Sequence, residues 1–550
     1  MKTDLEAFLQ KILQDYSRQK GFSLPAPFDF ELATTKDPAH GDFATNVAFK
    51  LSKLAQEKPA LIAASTAALI NEQKPAFLEK VEVAGPGFLN FYLKQGSLAE
   101  LVLQICKKKD AYGPSDFGKG KKVLLEFVSA NPTGPLTIAH GRQAAVGDAL
   151  ARILLATGHS VHKEYYLNDA GRQMNLLGAS LLARYREAFG EPLVLPEDGY
   201  QGIYLVDIAK KLIELKKDSL LKEDPKKAAD ICRQFAGQDI MAGIIKDMAD
   251  IGLVFDEFFN ESLLYKNGAV DKALDFLKSK NYLYESEGAL WFRTTDFGDD
   301  KDRVVKKTSG EYTYLAPDIA YHRHKFERGF KWLINFLGPD HHGYIVRLKA
   351  ACQALGHNPD EIDVRIVQLT TLFRKGEPVR MSTRAGEFVT LRELIDEVGA
   401  DATRFFFVMR KIESHLDFDL DLAKEKSQEN PVYYLQYAYA RIASLLRHAS
   451  RPVTGSANVS LLSSQEETDL IKMIGEFPNT LVRASQSLEP YRLADYLREL
   501  AASFHKFYTY HRVITDDVDL TDARLLLVEA MRIVLKNGLS LLGISQPESM

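Results

Sequence analysis

Cysteine is scarce in this sequence: Cys106, Cys232 and Cys352 are the whole supply in 550 residues, far apart and without a CxxC pair. That pattern excludes a disulfide framework and argues against a cysteine-built zinc site; it fits incidental thiols in a reducing compartment. No stretch approaches the roughly 18 consecutive apolar residues of a membrane span. The amino-terminal stretch is mixed in charge, with Leu5, Phe8, Leu9 and Ile12 on one helical face, so it does not read as a signal peptide and the expected location is cytoplasmic. An excess of charge of one sign is also missing. Lys plus Arg total 70 against 74 for Asp plus Glu, a net charge of −4, so a nucleic-acid partner must be met by local patches and shape rather than by a global field. Neither GxGxxG nor GxxxxGK[ST] occurs, which removes the dinucleotide fingerprint and the Walker P-loop. Repeats at solenoid periods are absent.

The composition that remains is that of an ordinary soluble protein, 46% hydrophobic and 26% charged. The length suits about three or four domains of roughly 150 residues each. Residues 1–110 read as a unit of helices and short strands, with Gly85, Pro86 and Gly87 punctuating two strands in "VEVAGPGFLNFYL". A glycine- and lysine-rich joint, "YGPSDFGKGKK", closes it. Residues 120–400 open as strand, loop, helix, strand, the start of a doubly wound α/β sheet. A charged, helical-looking stretch over about 180–285 reads as an insertion, after which β-rich runs return in "ALWFRTT", "YTYLA" and "KWLINFLG". Residues 405–550 read as a helical bundle. Asn430-Pro431 is a helix-start signal. Leu435, Tyr439, Ile442 and Leu446, then Leu493, Leu497, Leu500, Phe504 and Phe507, recur at helical spacing.

The chemistry concentrates in "SANPTGPLTIAHGR", residues 129–142, a loop between the apolar strand "KKVLLEFV" and a helix. In an open parallel sheet ligands bind beyond the carboxyl ends of the strands, where helix N-termini offer free N–H groups and partial positive charge. His140 stands near that helix start, with Thr137 just before it. A histidine there can donate to a phosphate oxygen and stabilise developing charge. Taken alone, His140 reads as packing, Asp318 as a first-turn carboxylate and Tyr314 as a half-buried strand aromatic.

The surrounding motifs change that reading. "LEFVSANPTGPLTIAHGR" resembles the signature region of class I aminoacyl-tRNA synthetases, and in particular the arginyl family. Thr137-Ile138-Ala139-His140 stands where that family has HIGH. Arg380-Met381-Ser382-Thr383-Arg384, in "EPVRMSTRAGEFVTL", stands where it has KMSKS. "GPDHHGY" at 338–344, "LDFDLDLAKEKSQENPVYYLQYAYARI" at 416–442, "HGDFATNVAFKLSK" and "GPGFLNFYL" are similar to the same family. The matches run in order along nearly the whole chain, weakest over about 185–280.

The resemblance implies a Rossmann-like class I catalytic domain with a helical insertion. It adds an α+β N-terminal domain that touches the tRNA elbow and an all-α C-terminal bundle that reads the anticodon. It implies a two-step reaction: arginine attacks the α-phosphate of ATP, and the adenylate then passes its arginyl group to the 3′-terminal ribose of tRNA(Arg). Activation in this family often requires tRNA. The implied catalytic group is Thr137, His140, Arg380, Ser382 and Arg384, the second motif forming a mobile loop hinged at Gly376 and Gly386. Arginine would be held by Glu126, Ser129, Asn131, His140, Tyr314, Asp318 and His342. ATP would be held by Thr137, Ala139, His140, Gly338, Asp340, His341, Met381 and Ser382. Tyr437, Arg441 and Met550 would meet the anticodon loop. ATP with Mg²⁺ is the implied substrate pair, with no protein-bound metal or zinc: His341 and His342 are adjacent and lack the i, i+4 spacing of a zinc pair. A monomer with no membrane partner is expected.

Three positions depart from the family pattern. Thr137 replaces the first His of HIGH and Ala139 its Gly. Thr383 replaces the second Lys of KMSKS, a phosphate contact that Arg380, Arg384 or Lys375 would have to supply. Two other readings remain: a class I synthetase or adenylate-forming enzyme for another amino acid, and a non-catalytic tRNA-binding descendant. Glu126, Asn131, Tyr314 and Asp318 weigh against the first, since a neutral substrate leaves them unpaired.

Overall fold

The computed structural model describes residues 2–35, 38–94, 96–169, 171–379, 389–449 and 457–550. At the amino end, helices Lys2–Lys20, Val47–Ala55 and Pro59–Gln73 pack on a four-stranded antiparallel sheet. The two strands around the Gly-Pro-Gly turn, Leu78–Ala84 and Phe88–Leu93, pair antiparallel within it. This region has its own core: Leu5, Leu9 and Ile12 of the first helix meet Val81, Leu89 and Phe91 of the sheet. Helix Glu100–Lys108 then docks on the last long helix, Val518–Leu542, where Lys536 reaches Asp110 at 2.9 Å.

The centre is a parallel sheet of five strands, in spatial order Ile362–Ile366, Trp332–Leu337, Lys122–Glu126, Ser160–Leu167 and Glu257–Asn260. Numbered along the chain, that order is 5-4-1-2-3, or 3-2-1-4-5 from the opposite edge, the doubly wound arrangement. Its direction of winding reverses beside strand Lys122–Glu126, the place where such sheets bind ligands. Val123, Leu124 and Leu125 have no exposed surface, as expected for the middle of a sheet covered on both faces. Helix Ile138–Ala156 follows that strand and lies so close to it that a Cβ on Gly147 would come within 2.3 Å of the Phe127 ring.

The stretch read as one insertion over 180–285 is divided. Helices Arg172–Glu187, Tyr204–Lys216 and Pro225–Asp250 pack on one another. Glu257–Asn260 instead returns to the central sheet as its edge strand. Four residues in a charged context give too short a period to register as a strand. A second correction concerns "YTYLA". Tyr314 is not at a strand end; it immediately precedes helix Leu315–Glu327, which carries Pro317 in its first turn, where no N–H is needed. The preceding β-rich runs form a separate antiparallel sheet, Leu283–Ser286, Ala289–Phe292 and Arg303–Lys306.

From Ala400 onward the described chain is helical except for strand Leu416–Asp419, which pairs in parallel with Thr370–Arg374. The Asn430 side chain caps helix Pro431–His448, accepting from Val432 N at 3.2 Å. Leu493, Leu497, Leu500, Phe504 and Phe507 are all buried on helix Tyr491–Tyr510. This bundle shares one continuous core with the central sheet. Inside that core, Arg404 donates to the carbonyls of Ile251 and Leu542 and to Asp148, whose side chain is 1% exposed.

Candidate active site

Strand Lys122–Glu126 ends abruptly. Val128 and Ser129 both have positive φ, 68° and 40°, a conformation that non-glycine residues hold only when their surroundings over-determine it, at about 1–3 kcal/mol each. The surroundings are visible. Val128 N donates to Gln143 Oε1 at 3.1 Å, Ser129 Oγ accepts from Tyr166 N at 3.1 Å, and Ser129 Oγ lies 3.5 Å from Glu126 Oε1. The kink turns the chain across the end of the sheet and into the loop that starts the next helix.

Thr137 is the N-cap of that helix and His140 its third residue. Thr137 N donates to His140 Nδ1 at 3.1 Å, and the Thr137 hydroxyl lies at the same distance from that nitrogen. With Nδ1 accepting, the ring proton is assigned to Nε2, which has no partner among the described residues. Burial pushes His140 down to about 4, so the imidazole is neutral at ordinary pH. The threonine in place of the first family histidine therefore orients the second one. His140 and Asn131 line a cavity of about 740 Å³ with Ala130 and Gly134; its opposite wall is Gln173, residues 198–202 and Tyr204. Asn131 donates to Gln173 at 2.6 Å and Tyr204 to Thr133 O at 2.6 Å, which ties the helical segment to the loop.

Acidic groups gather on the other side of the strand end. Glu126 is 8% exposed. Its Oε2 accepts from Lys325 at 2.5 Å and from Asn335 at 3.1 Å. Asp318, in the first turn of helix Leu315–Glu327, accepts from the Tyr344 hydroxyl. Burial pushes Asp318 up to about 7; Tyr344 opposes the shift, and the charges of Glu126 and Glu261 add to it. Glu261 is itself raised by burial. Burial raises the titration of Tyr166, and the charges of Asp318 and Glu261, a hydroxyl contact to Glu261 and the charge of Glu126 raise it further. Lys325 is the cation of Glu126, whereas Asp318 and Glu261 have no ion-pair partner among the described residues.

The remaining expected residues are placed less closely. Tyr314 lies one turn ahead of Asp318, with its ring 77% exposed. Gly338, Asp340, His341 and His342 follow strand Trp332–Leu337 in a short turn, the two histidines exposed and His341 3.4 Å from Asp340. Ala139 is half-buried beside His140. Arg380, Met381, Ser382, Thr383, Arg384 and Gly386 lie outside the described residues; Gly376 sits in the turn between Thr370–Arg374 and Glu377–Pro378, with φ 76°. In the helical bundle, Tyr433, Tyr437 and His505 stack in a row and the Arg441 guanidinium lies 4.2 Å over the Tyr508 ring. Met550 is 54% exposed.

Sequence reasoning missed Glu261, Tyr166, Tyr344 and Lys325. Lys325 had a signal: Asp318, His322 and Lys325 share one helix face at i, i+4, i+7. A metal-like group of His162, Glu164 and Glu257 was also unforeseen. The Arg328 guanidinium occupies it, 2.5 Å from Glu164, 2.7 Å from Glu257 and 3.0 Å from His162.

Comparison with known proteins settles the family. The model of the class I tRNA synthetase (R) catalytic domain matches residues 102–414, that of the arginyl tRNA synthetase N-terminal domain residues 1–93, and that of the DALR anticodon-binding domain residues 435–550. An arginine–tRNA ligase of Shouchella clausii is 49% identical over 523 residues, 94% of each chain. The chain belongs to the arginyl-tRNA synthetase family. Another arginine–tRNA ligase, from Syntrophotalea carbinolica, is 46% identical over all of both chains. Among solved structures, a putative arginyl-tRNA synthetase from Campylobacter jejuni superposes with TM-score 0.77 at 34% identity, covering 83% of this chain and all of that one. The arginyl-tRNA synthetase of Thermus thermophilus shares the fold over all of both chains, with TM-score 0.81 at 22% identity. The synthetase thus carries a class I catalytic domain flanked by an arginyl-type N-terminal domain and a DALR bundle.

Proposed function

We propose that the end of the central strand is the arginine and phosphate site of an ATP-dependent arginine–tRNA ligase, with the roles divided as follows. Glu126, Asp318 and Glu261 receive the guanidinium, with Tyr166 and Tyr344 as hydroxyl partners and the Tyr314 ring as a cover. Ser129, Asn131 and His140 hold the α-amino and carboxylate end. The N-terminus of helix Ile138–Ala156 and the neutral Nε2–H of His140 stabilise charge on the α-phosphate as the carboxylate attacks. Ala139, Gly338, Asp340 and His341 lie on the nucleotide side, and His342 at its border with the arginine. Arg380, Met381, Ser382 and Arg384 close over the phosphates. ATP enters with Mg²⁺, for which the phosphates themselves are the principal ligands. Tyr437, Arg441 and Met550 present aromatic and planar surfaces to unstacked anticodon bases. The protein acts as a cytoplasmic monomer without a zinc site.

The carrying observation is the pair of buried carboxyls Asp318 and Glu261, which have hydroxyl neighbours in Tyr344, Tyr265 and Tyr166 but no ion-pair partner among the described residues. A guanidinium supplies both the missing charge and planar donors in a fixed fork. The test is aminoacylation with purified tRNA present throughout, comparing arginine with citrulline, its uncharged isostere, and with lysine. Arginine is expected to be preferred over citrulline by at least about 10³-fold in kcat/KM, since a neutral group leaves buried acceptors unpaired. Comparable charging of citrulline would overturn the pocket. Failure to charge any amino acid would favour a non-catalytic descendant.

A further inference from the structure

Glu126 stands directly opposite Glu164 in the parallel register of the two central strands, and both are buried, at 8% and 0% exposure. Like charges on neighbouring strands repel, and each of these has its own cation. Arg328 serves Glu164. Lys325, with no exposed side-chain surface, serves Glu126. The Lys325 ammonium also lies 4.1 Å over the Tyr321 ring, whose hydroxyl donates to Glu164 at 2.5 Å. It is therefore fixed between two carboxylates and an aromatic face. The two oxygens of Glu126 are not equivalent. Oε2 takes both Lys325 and Asn335, whereas among the described residues Oε1 has only the long 3.5 Å approach of Ser129.

We infer that Lys325 is a positioning residue of the arginine pocket: it holds Glu126 by one oxygen and leaves the other for the guanidinium. The inference rests on the pocket reading above. Lys325 does not reach the substrate; it acts through the carboxylate. Without it, Glu126 is a buried anion facing Glu164, Asp318 and Glu261 with only Asn335 and Ser129 as donors. Such a group takes up a proton or turns away, and either loses the acceptor that the substrate needs.

The test uses the full-length enzyme charging tRNA. Lys325→Met is expected to raise the arginine KM at least about tenfold at pH 7.5 while the ATP KM stays within about twofold, the pattern of a lost substrate-side interaction. The arginine KM of that variant is expected to fall as pH rises from 7 to 9, because the stranded carboxylate must first lose a proton. Lys325→Arg, which restores a cation, is expected to return the KM to within about threefold of the parent. An unchanged arginine KM, or a fall in kcat with both KM values unchanged, overturns the inference. If Lys325→Met does not fold, the neutral pair Glu126→Gln/Lys325→Met is compared with Glu126→Gln alone. The lysine change must then add less than about twofold to the arginine KM, and an added tenfold loss overturns the inference. Should Glu126→Gln itself leave the arginine KM unchanged, the pocket reading fails at its root, an outcome distinct from failure of Lys325 alone.

Discussion

Beside Glu126 and Asp318, carboxyl groups are buried before any ligand arrives; beside Thr137 and His140, the protein presents dipoles and a neutral ring. The first region gathers Glu126, Asp318 and Glu261 from three separate segments, with Lys325 as the buried cation behind them. The second offers a helix N-terminus and an imidazole pushed down to about 4 by burial. On the proposed reading, the difference matches the two ligands. A guanidinium brings a fixed positive charge and needs acceptors ready in place. A triphosphate changes charge during reaction and arrives with its own cation, so fixed donors that need no reorganisation suffice.

The largest expected effect breaks the phosphate end alone. His140→Ala is expected to lower kcat by about 10²–10³-fold, with the ATP KM shifting far less, in steady-state aminoacylation. Next, Asp318→Asn breaks the guanidinium end alone: the arginine KM is expected to rise about 100-fold, the ATP KM to stay within about twofold. Equal arginine kinetics in that variant would remove Asp318 from the pocket.

A pH series sharpens the contrast with a smaller effect. Burial pushes Asp318 up to about 7, and on the proposed reading only its ionised form attracts the guanidinium. The arginine KM should therefore rise up to about tenfold per pH unit below 7 and level off above it. The same shift makes a stability statement. The folded carboxyl binds its proton more tightly than the unfolded one, so rising pH destabilises the unliganded protein between about 4 and 7. Asp318→Asn should accordingly raise the melting temperature of the free enzyme at pH 8 and leave it nearly unchanged near pH 4. His140 contributes no pH dependence between 6 and 9, because it is already neutral there. The smallest effect belongs to Thr137→Ser, which keeps the hydroxyl and the backbone donation to His140; kcat should change by less than about threefold.

The doubly wound sheet and helical carboxyl-terminal region were legible because long periodic segments carry them: buried Leu493 to Phe507 is one face of one helix. Asn430 was legible because its cap is local, complete within Val432 and Tyr433. Glu126 and Asp318 could be picked out only through the family motifs, since nothing in their immediate neighbours reveals that Tyr166 and Tyr344 stand beside them. Glu261 was hidden because the strand before it, Glu257–Asn260, is too short to show a period and sits after a long charged helical stretch. Lys325 lies in "HRHKFER", which reads as a solvated surface; only the meeting of that helix with strands Lys122–Glu126 and Trp332–Leu337 buries it. The shared face of Asp318, His322 and Lys325 was the one local trace; which segments that face meets is set by distant contacts.

The cage around Arg404 bears on how the molecule is made. Its three holders are Asp148 on the helix of the first motif, the carbonyl of Ile251 and the carbonyl of Leu542. A guanidinium shut away from water must find all of them. A chain cut before the last helix therefore leaves that guanidinium one acceptor short. The carboxyl-terminal helix thus supplies one of the acceptors that seal the underside of the helix bearing His140, and the two regions share that seam.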